Sequence, residues 1–214
     1  MNLFTIFDPC TGFFSLNWLC IFSLFFLVPV PFWVCGSNLM MILNLIINFF
    51  VLEIFSLTKY LNSVLFMVGL FIYFMTLNLV GLVPYVYACS SHLCFSLGFS
   101  IPLWLSMMFF GWLMNFNFMF IHLVPLGTPF LLSPFMVMIE TVSNFIRPIS
   151  LAVRLSANMI AGHLLMSLLG SSTTGFFLML FFIVFLMILL FEFAVSLIQS
   201  YVFVTLGVLY SSEI

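Results

Sequence analysis

Charge is what this 214-residue sequence has least of: three Lys/Arg and five Asp/Glu, 4% of the chain, with a net charge of −2. Soluble domains carry about 25% charged residues, so a chain with so few cannot clothe its exterior for water. Three basic side chains exclude an electrostatic footprint for nucleic acid. Eleven Gly and nine Pro are too few for a fibrous or low-complexity chain. The five cysteines, Cys10, Cys20, Cys35, Cys89 and Cys94, are odd in number and form no Cys-x-x-Cys pair, which argues against a disulfide framework. They read as small hydrophobes in helices. No cluster has metal-ligand spacing, no Gly-rich loop could cradle phosphates, and no nucleophile–base pair is evident, so neither metal nor cofactor is expected. A cleavable signal is not expected either, because no positively charged segment opens the chain and Asp8 precedes the first apolar run.

What is present is apolar. Hydrophobic residues make up 66% of the chain and aromatics 20%, with 32 Phe and 15 Met, a bias that suits an AT-rich organellar genome. A membrane-spanning helix needs about 20 mainly apolar residues. Runs of that kind occur at 13–34, 61–84 and 95–122, and two much longer ones at 129–170 and 175–211. The expected fold is an all-α integral membrane protein in a single membrane domain. It has about five membrane-embedded helices plus one interfacial helix. The last two runs flank Gly170-Ser171-Ser172-Thr173-Thr174-Gly175, a turn-like cluster. At about 1.5 Å per residue both exceed a perpendicular crossing, which predicts a long, strongly tilted hairpin.

Residues 36–60 differ. On a helical wheel Asn38, Asn44, Asn48, Glu53, Ser56 and Lys59 share one half, as suits a helix lying along the membrane surface. The other reading is a poor spanning helix with Glu53 inside.

Glu140, Arg147, Arg154 and Glu192 lie within apolar runs, where an ionised group costs at least about 2.5–3.5 kcal/mol. Such residues mark ion or proton pathways by default. Glu140, Arg147 and Arg154 recur every seven residues, so each step turns the helix by only about 20°, giving one polar stripe unless Pro148 shifts the register. Asn144 and Asn158 widen it. His163 lies about 13–14 Å beyond Arg154 and half a turn around. Arginine stays protonated and cannot relay a proton, whereas carboxylate and imidazole can. A fixed cation between two titratable stations divides two half-paths. Glu192, Ser196 and Gln199 share a face of the second long helix. A fold about 172–173 would set Glu192 opposite position 153, within reach of a polar layer holding Arg154 or His163. The structural alternative has Arg154–Glu192 and Arg147–Glu140 as paired charges that only fix helix register. His92 and His122 read as loop residues.

These residues carry a resemblance. His122-Leu123-Val124-Pro125-Leu126-Gly127-Thr128-Pro129 is followed by Ile139-Glu140-Thr141-Val142-Ser143-Asn144, then Leu151-Ala152-Val153-Arg154-Leu155-Ser156-Ala157-Asn158 and Ala161-Gly162-His163-Leu164-Leu165. Glu192-Phe193-Ala194 and Ile198-Gln199-Ser200-Tyr201-Val202-Phe203 come later. Together with Asn78-Leu79-Val80-Gly81-Leu82-Val83-Pro84 and Ile101-Pro102-Leu103-Trp104, they closely resemble the a subunits of F-type ATP synthases in their mitochondrial form. The likeness covers about residues 75–210; the first 60 match only in hydropathy and in the order of elements.

The resemblance implies that Arg154 matches the essential arginine facing the c-subunit ring. It implies that Glu140 lines the matrix-side half-channel and that His163 and Glu192 line the one from the intermembrane space. Asn158 and Gln199 match polar residues near the arginine. The implied partners are the c ring, peripheral-stalk subunit b, other small membrane subunits, the bilayer, protons and water. The implied location is the mitochondrial inner membrane, with the N-terminus in the intermembrane space. The resemblance also implies that ATP chemistry occurs elsewhere in the complex. A secondary proton-coupled transporter is the rival from another class, but the internal repeats common in such proteins are not evident. A purely structural membrane subunit is the second rival.

Overall fold

The computed structural model describes residues 7–10, 12, 14–23, 36–58, 61–83, 86–124, 129–172 and 178–212. Among the described residues six α-helices follow one another: α1 Asn38–Thr58, α2 Leu61–Gly81, α3 Leu93–Met114, α4 Phe116–His122, α5 Ser133–Ser172 and α6 Leu178–Ser212. Five of these, all but α4, are long and apolar enough to cross a membrane, and no strand occurs among the described residues. The protein is an all-α, multi-pass membrane protein.

Of the run at 13–34, the described part is a 3-10 helix over Leu16–Phe22, and residues 24–35 lie outside the described set. Lys59, Gly127, Glu213 and residues 173–177, where the sequence suggests a turn, lie outside it too. The 95–122 run is two helices rather than one. Asn115 leaves helical geometry at φ −129°, ψ 49°; its amide closes α3 on the Gly111 carbonyl, and its own carbonyl accepts the Met119 amide of α4. Asparagine suits such a junction because its short polar side chain competes with helical hydrogen bonding.

α5 has 40 residues and α6 has 35, so at about 1.5 Å per residue each greatly exceeds a hydrocarbon core of about 30 Å. Each is long enough to cross with a strong tilt. α5 stays helical through Pro148, which is buried. Proline cannot donate to the carbonyl four residues back, so the Asn144 carbonyl is released from the helical ladder.

The core lies where α2 packs on α6, and α1 closes it from the side. Phe74 is fully buried, between Phe203 at 4.4 Å and Phe99 at 5.4 Å between ring centroids. Phe50 of α1 stacks on Phe71 of α2 at 4.1 Å. Lipid is as apolar as these side chains, so close packing and small residues, rather than water exclusion, hold such helices together. Ser96 and Ser100 of α3, Ala152 and Ser156 of α5, and Ser196 and Ser200 of α6 are all buried. Ser156 and Ser200 satisfy their hydroxyls on carbonyls of their own helices, which lets neighbouring backbones approach. α1 is also tied through a polar contact: the Tyr201 hydroxyl of α6 donates to Glu53 Oε1 at 2.6 Å.

Candidate functional site

The site is the antiparallel pair α5 and α6. At its centre Asn158 Nδ2 donates to Gln199 Oε1 at 2.9 Å, a side-chain bond between the two helices. Gln199 and Ser196 are buried, and Glu192 is only 5% exposed. The three share one face of α6, turned inward toward α5.

Glu192 lies against Gly162. A methyl group at position 162 would land on the Glu192 carboxylate, so that glycine is what leaves room for the acid. The pair meets about two and a half turns further along α5 than position 153, where the sequence set it. α5 ends at Ser172 and α6 begins at Leu178, so the midpoint between the two helices falls near 175 rather than at 172–173, and Ser171, read as a turn residue, lies in α5 and donates its hydroxyl to the Leu168 carbonyl at 2.8 Å. A serine that bonds back along its own helix need not end it. Glu192 therefore packs at Gly162, next in sequence to His163, rather than opposite position 153.

Two cavities flank this centre. One, of about 110 Å³, is lined by Glu140, Asn144 and Arg147 of α5 and by Trp104, Trp112 and Tyr210. Arg147 sits over the Tyr210 ring at 4.9 Å, a cation–π contact that holds the guanidinium at the cavity wall. The other, of about 980 Å³, reaches His163, Met166 and Ser167 of α5 and Phe185 and Leu189 of α6; Glu192 lies one turn beyond Leu189. The His163 Nε2 is buried and has no hydrogen-bond partner among the described residues. The first cavity thus meets α5 near residue 144 and the second near residue 165.

Arg154 lies between them, about 21 Å along α5 from Glu140 and about 13–14 Å from His163. It is exposed, and among the described residues it has no ion-pair partner. Ala157 and Ala161, three and seven residues on, are exposed on the same side. An Arg154–Glu192 pair is therefore absent among the described residues. Glu140 lines one cavity, His163 lines the other, Glu192 packs against Gly162, and Arg154 lies between the two cavities along α5.

Sequence reasoning missed Tyr210, Trp104 and Gly162. Tyr210 is brought to Arg147 by the hairpin's length, which no local pattern encodes. Gly162 carried a signal, a glycine directly before an intramembrane histidine. His92, read as a loop residue, does more than connect: it precedes α3, and its Nε2 meets both the Tyr87 hydroxyl and the Phe7 carbonyl, the latter at 3.1 Å.

Two long apolar helices packed side by side, with ionisable groups at separate positions along them, define a class: membrane proteins that handle ions or protons. The comparisons with known proteins name the member. The profile of the family described as ATP synthase A chain matches residues 13–212. ATP synthase subunit a of Aedes aegypti is 47% identical in an alignment covering 100% of this chain and 98% of the relative. The subunits a of Locusta migratoria and Drosophila melanogaster are each 45% identical at the same coverage. The chain belongs to the ATP synthase A chain family.

Proposed function

We propose that this chain carries protons across the membrane sector of ATP synthase through two offset half-paths, exchanging them with a rotating ring of c subunits. The observation that carries this reading is the pair of separate cavities, one holding Glu140 and the other reaching His163, with Arg154 between them on an uncovered face of α5. A single continuous pore would leak. Two blind clefts at different depths pass protons only if a carrier shuttles between them.

In this mechanism a proton moves down the larger cavity to His163 and Glu192 and is handed to a carboxylate on a c subunit. Neutralised, that carboxylate can turn into lipid, where its charged form is heavily penalised. After nearly a full turn it releases its proton toward Glu140 and the second cavity. Arg154 cannot give up its proton, so it blocks a direct leak and attracts the deprotonated carboxylate instead. Ala157 and Ala161 allow another helix to approach that face closely. The driving force is about 2.3 kcal/mol per charge per 100 mV. Asn158 and Gln199 fix the register of the two helices, and Asn144 and Ser196 supply polar support. The chain itself performs no ATP chemistry. Its partners are the c ring, peripheral-stalk subunit b and other small membrane subunits, and its place is the mitochondrial inner membrane.

Replacing Arg154 by Ala tests the reading. The complex is expected to assemble while proton flow and ATP synthesis come apart. Assembly with full coupling would overturn it, and failure to assemble would favour a structural role for the arginine.

A further inference from the structure

The larger cavity has a wall that the proton path just described does not use. Asp8, Cys10, Asn17 and Cys20, all from the segment before α1, line it together with His163. Asp8 is exposed, and among the described residues it is the only carboxylate lining that cavity.

The segment is held in place by several contacts. The Phe7 ring meets the His163 ring edge-on at 6.3 Å, and the Phe7 carbonyl accepts from His92 Nε2 at 3.1 Å. Asn17 Nδ2 donates to the Asp8 carbonyl at 3.3 Å. Trp18 packs on both Tyr87 and His92, at 6.0 and 5.5 Å between ring centroids. These contacts pin the backbone on both sides of Asp8 against the 87–92 loop. They leave its carboxylate in the same cavity as the imidazole.

We infer that Asp8 is the outer proton-collecting group of this half-path, held over the cavity by the Phe7–His92–Trp18 clamp and feeding His163. The inference rests on the proton-path reading above and extends it to a residue far away in sequence. The physics is ordinary: a fixed carboxylate in a cleft with low-dielectric walls raises the local concentration of cations, hydronium and protonated buffer included. It can also bind and release protons itself. No bond is made or broken in this scheme beyond O–H and N–H.

The test uses the assembled complex in vesicles, with passive proton conduction driven by an imposed potential. Asp8→Asn keeps the size and polarity of an exposed side chain, so assembly should be unchanged. Conduction is expected to fall about tenfold at low buffer concentration, in line with the loss of electrostatic focusing. It should recover when a small mobile buffer is added in excess, because that buffer then carries protons to His163 directly. Asp8→Glu should conduct as the parent does. A merely structural role for Asp8 would not respond to buffer. Arg154→Ala, prepared in parallel, separates the two claims. If Arg154→Ala uncouples while Asp8→Asn conducts normally at every buffer concentration, the collecting role is wrong and the path stands. If Arg154→Ala remains fully coupled, the path itself is wrong. A conduction loss in Asp8→Asn that mobile buffer does not relieve also overturns the inference.

Discussion

Gly162→Ala separates the proton path from the stability of the fold. The added methyl would fall on the Glu192 carboxylate, closer than any real carbon–oxygen contact, so the acid must retreat by about 1 Å. Two stability terms oppose each other. Alanine in place of a helical glycine favours the helix by about 0.5–1 kcal/mol. Driving Glu192 off its preferred rotamer costs about 0.5–1.5 kcal/mol. The net change is within about 1 kcal/mol, and the complex should assemble as before. Function has no such compensation, because displacing a proton-transfer group by about 1 Å can cost on the order of 100-fold in rate. The assay is proton conduction by vesicles containing the complex, read beside the amount of assembled complex. The expected result is unchanged assembly with conduction lowered by about tenfold or more. Parental conduction in a fully assembled Gly162→Ala complex would refute the role given to Glu192.

Three further predictions concern the scaffold. In a double-mutant cycle of Asn158→Ala and Gln199→Ala the coupling should be about 0.6 kcal/mol, the average for interhelical side-chain bonds in membranes, and at most about 1.7; additive effects in detergent unfolding would contradict the bond. Phe74→Ala should destabilise by about 2 kcal/mol, less than the 3–5 typical of water-soluble cores, since a ring leaving this core still finds hydrocarbon; a loss beyond that larger range, by the same unfolding measurement, would contradict the packing account. Burial pushes the Cys89 thiol up from 9.0 to about 12, with the neighbouring Cys20 adding to it, so it stays protonated at pH 8–9. The folded thiol holds its proton to higher pH than the unfolded one. Its contribution is therefore intact below about 9 and is lost as pH climbs toward 12. A maleimide at pH 8 should label exposed Cys10 and Cys94 and spare Cys89; rapid labelling of Cys89 would show that the 87–92 loop opens.

Much of the site could be read in the sequence because it depends on covalent spacing. Glu140, Arg147 and Arg154 fall on one face through a seven-residue repeat, and Glu192, Ser196 and Gln199 through helical periodicity, whatever packs around them. The charge shortage and the long apolar runs fixed the fold class for the same reason. What could not be read depends on how the chain returns. Ser171 and Ser172 look like turn residues by type, yet both belong to α5, and the later return of the chain together with the packing of the two helices sets Glu192 against Gly162 rather than position 153. The break at Asn115 falls inside the run read as 95–122, where Asn115 and Asn117 interrupt the apolar side chains. The contacts of Tyr210 with Arg147, Tyr201 with Glu53 and Phe7 with His92 join residues far apart in sequence. Only tertiary packing creates them.

The central claim is that Arg154 divides two aqueous half-paths and faces a carboxylate on another chain. A density map of the native membrane complex, inspected around Arg154, tests it most directly. The account predicts a ring of helical hairpins beside α5, a ring carboxylate facing Arg154, and clefts reaching His163 and Glu140 from opposite sides of the membrane. Arg154 ion-paired within its own chain, with no ring against α5, would contradict it.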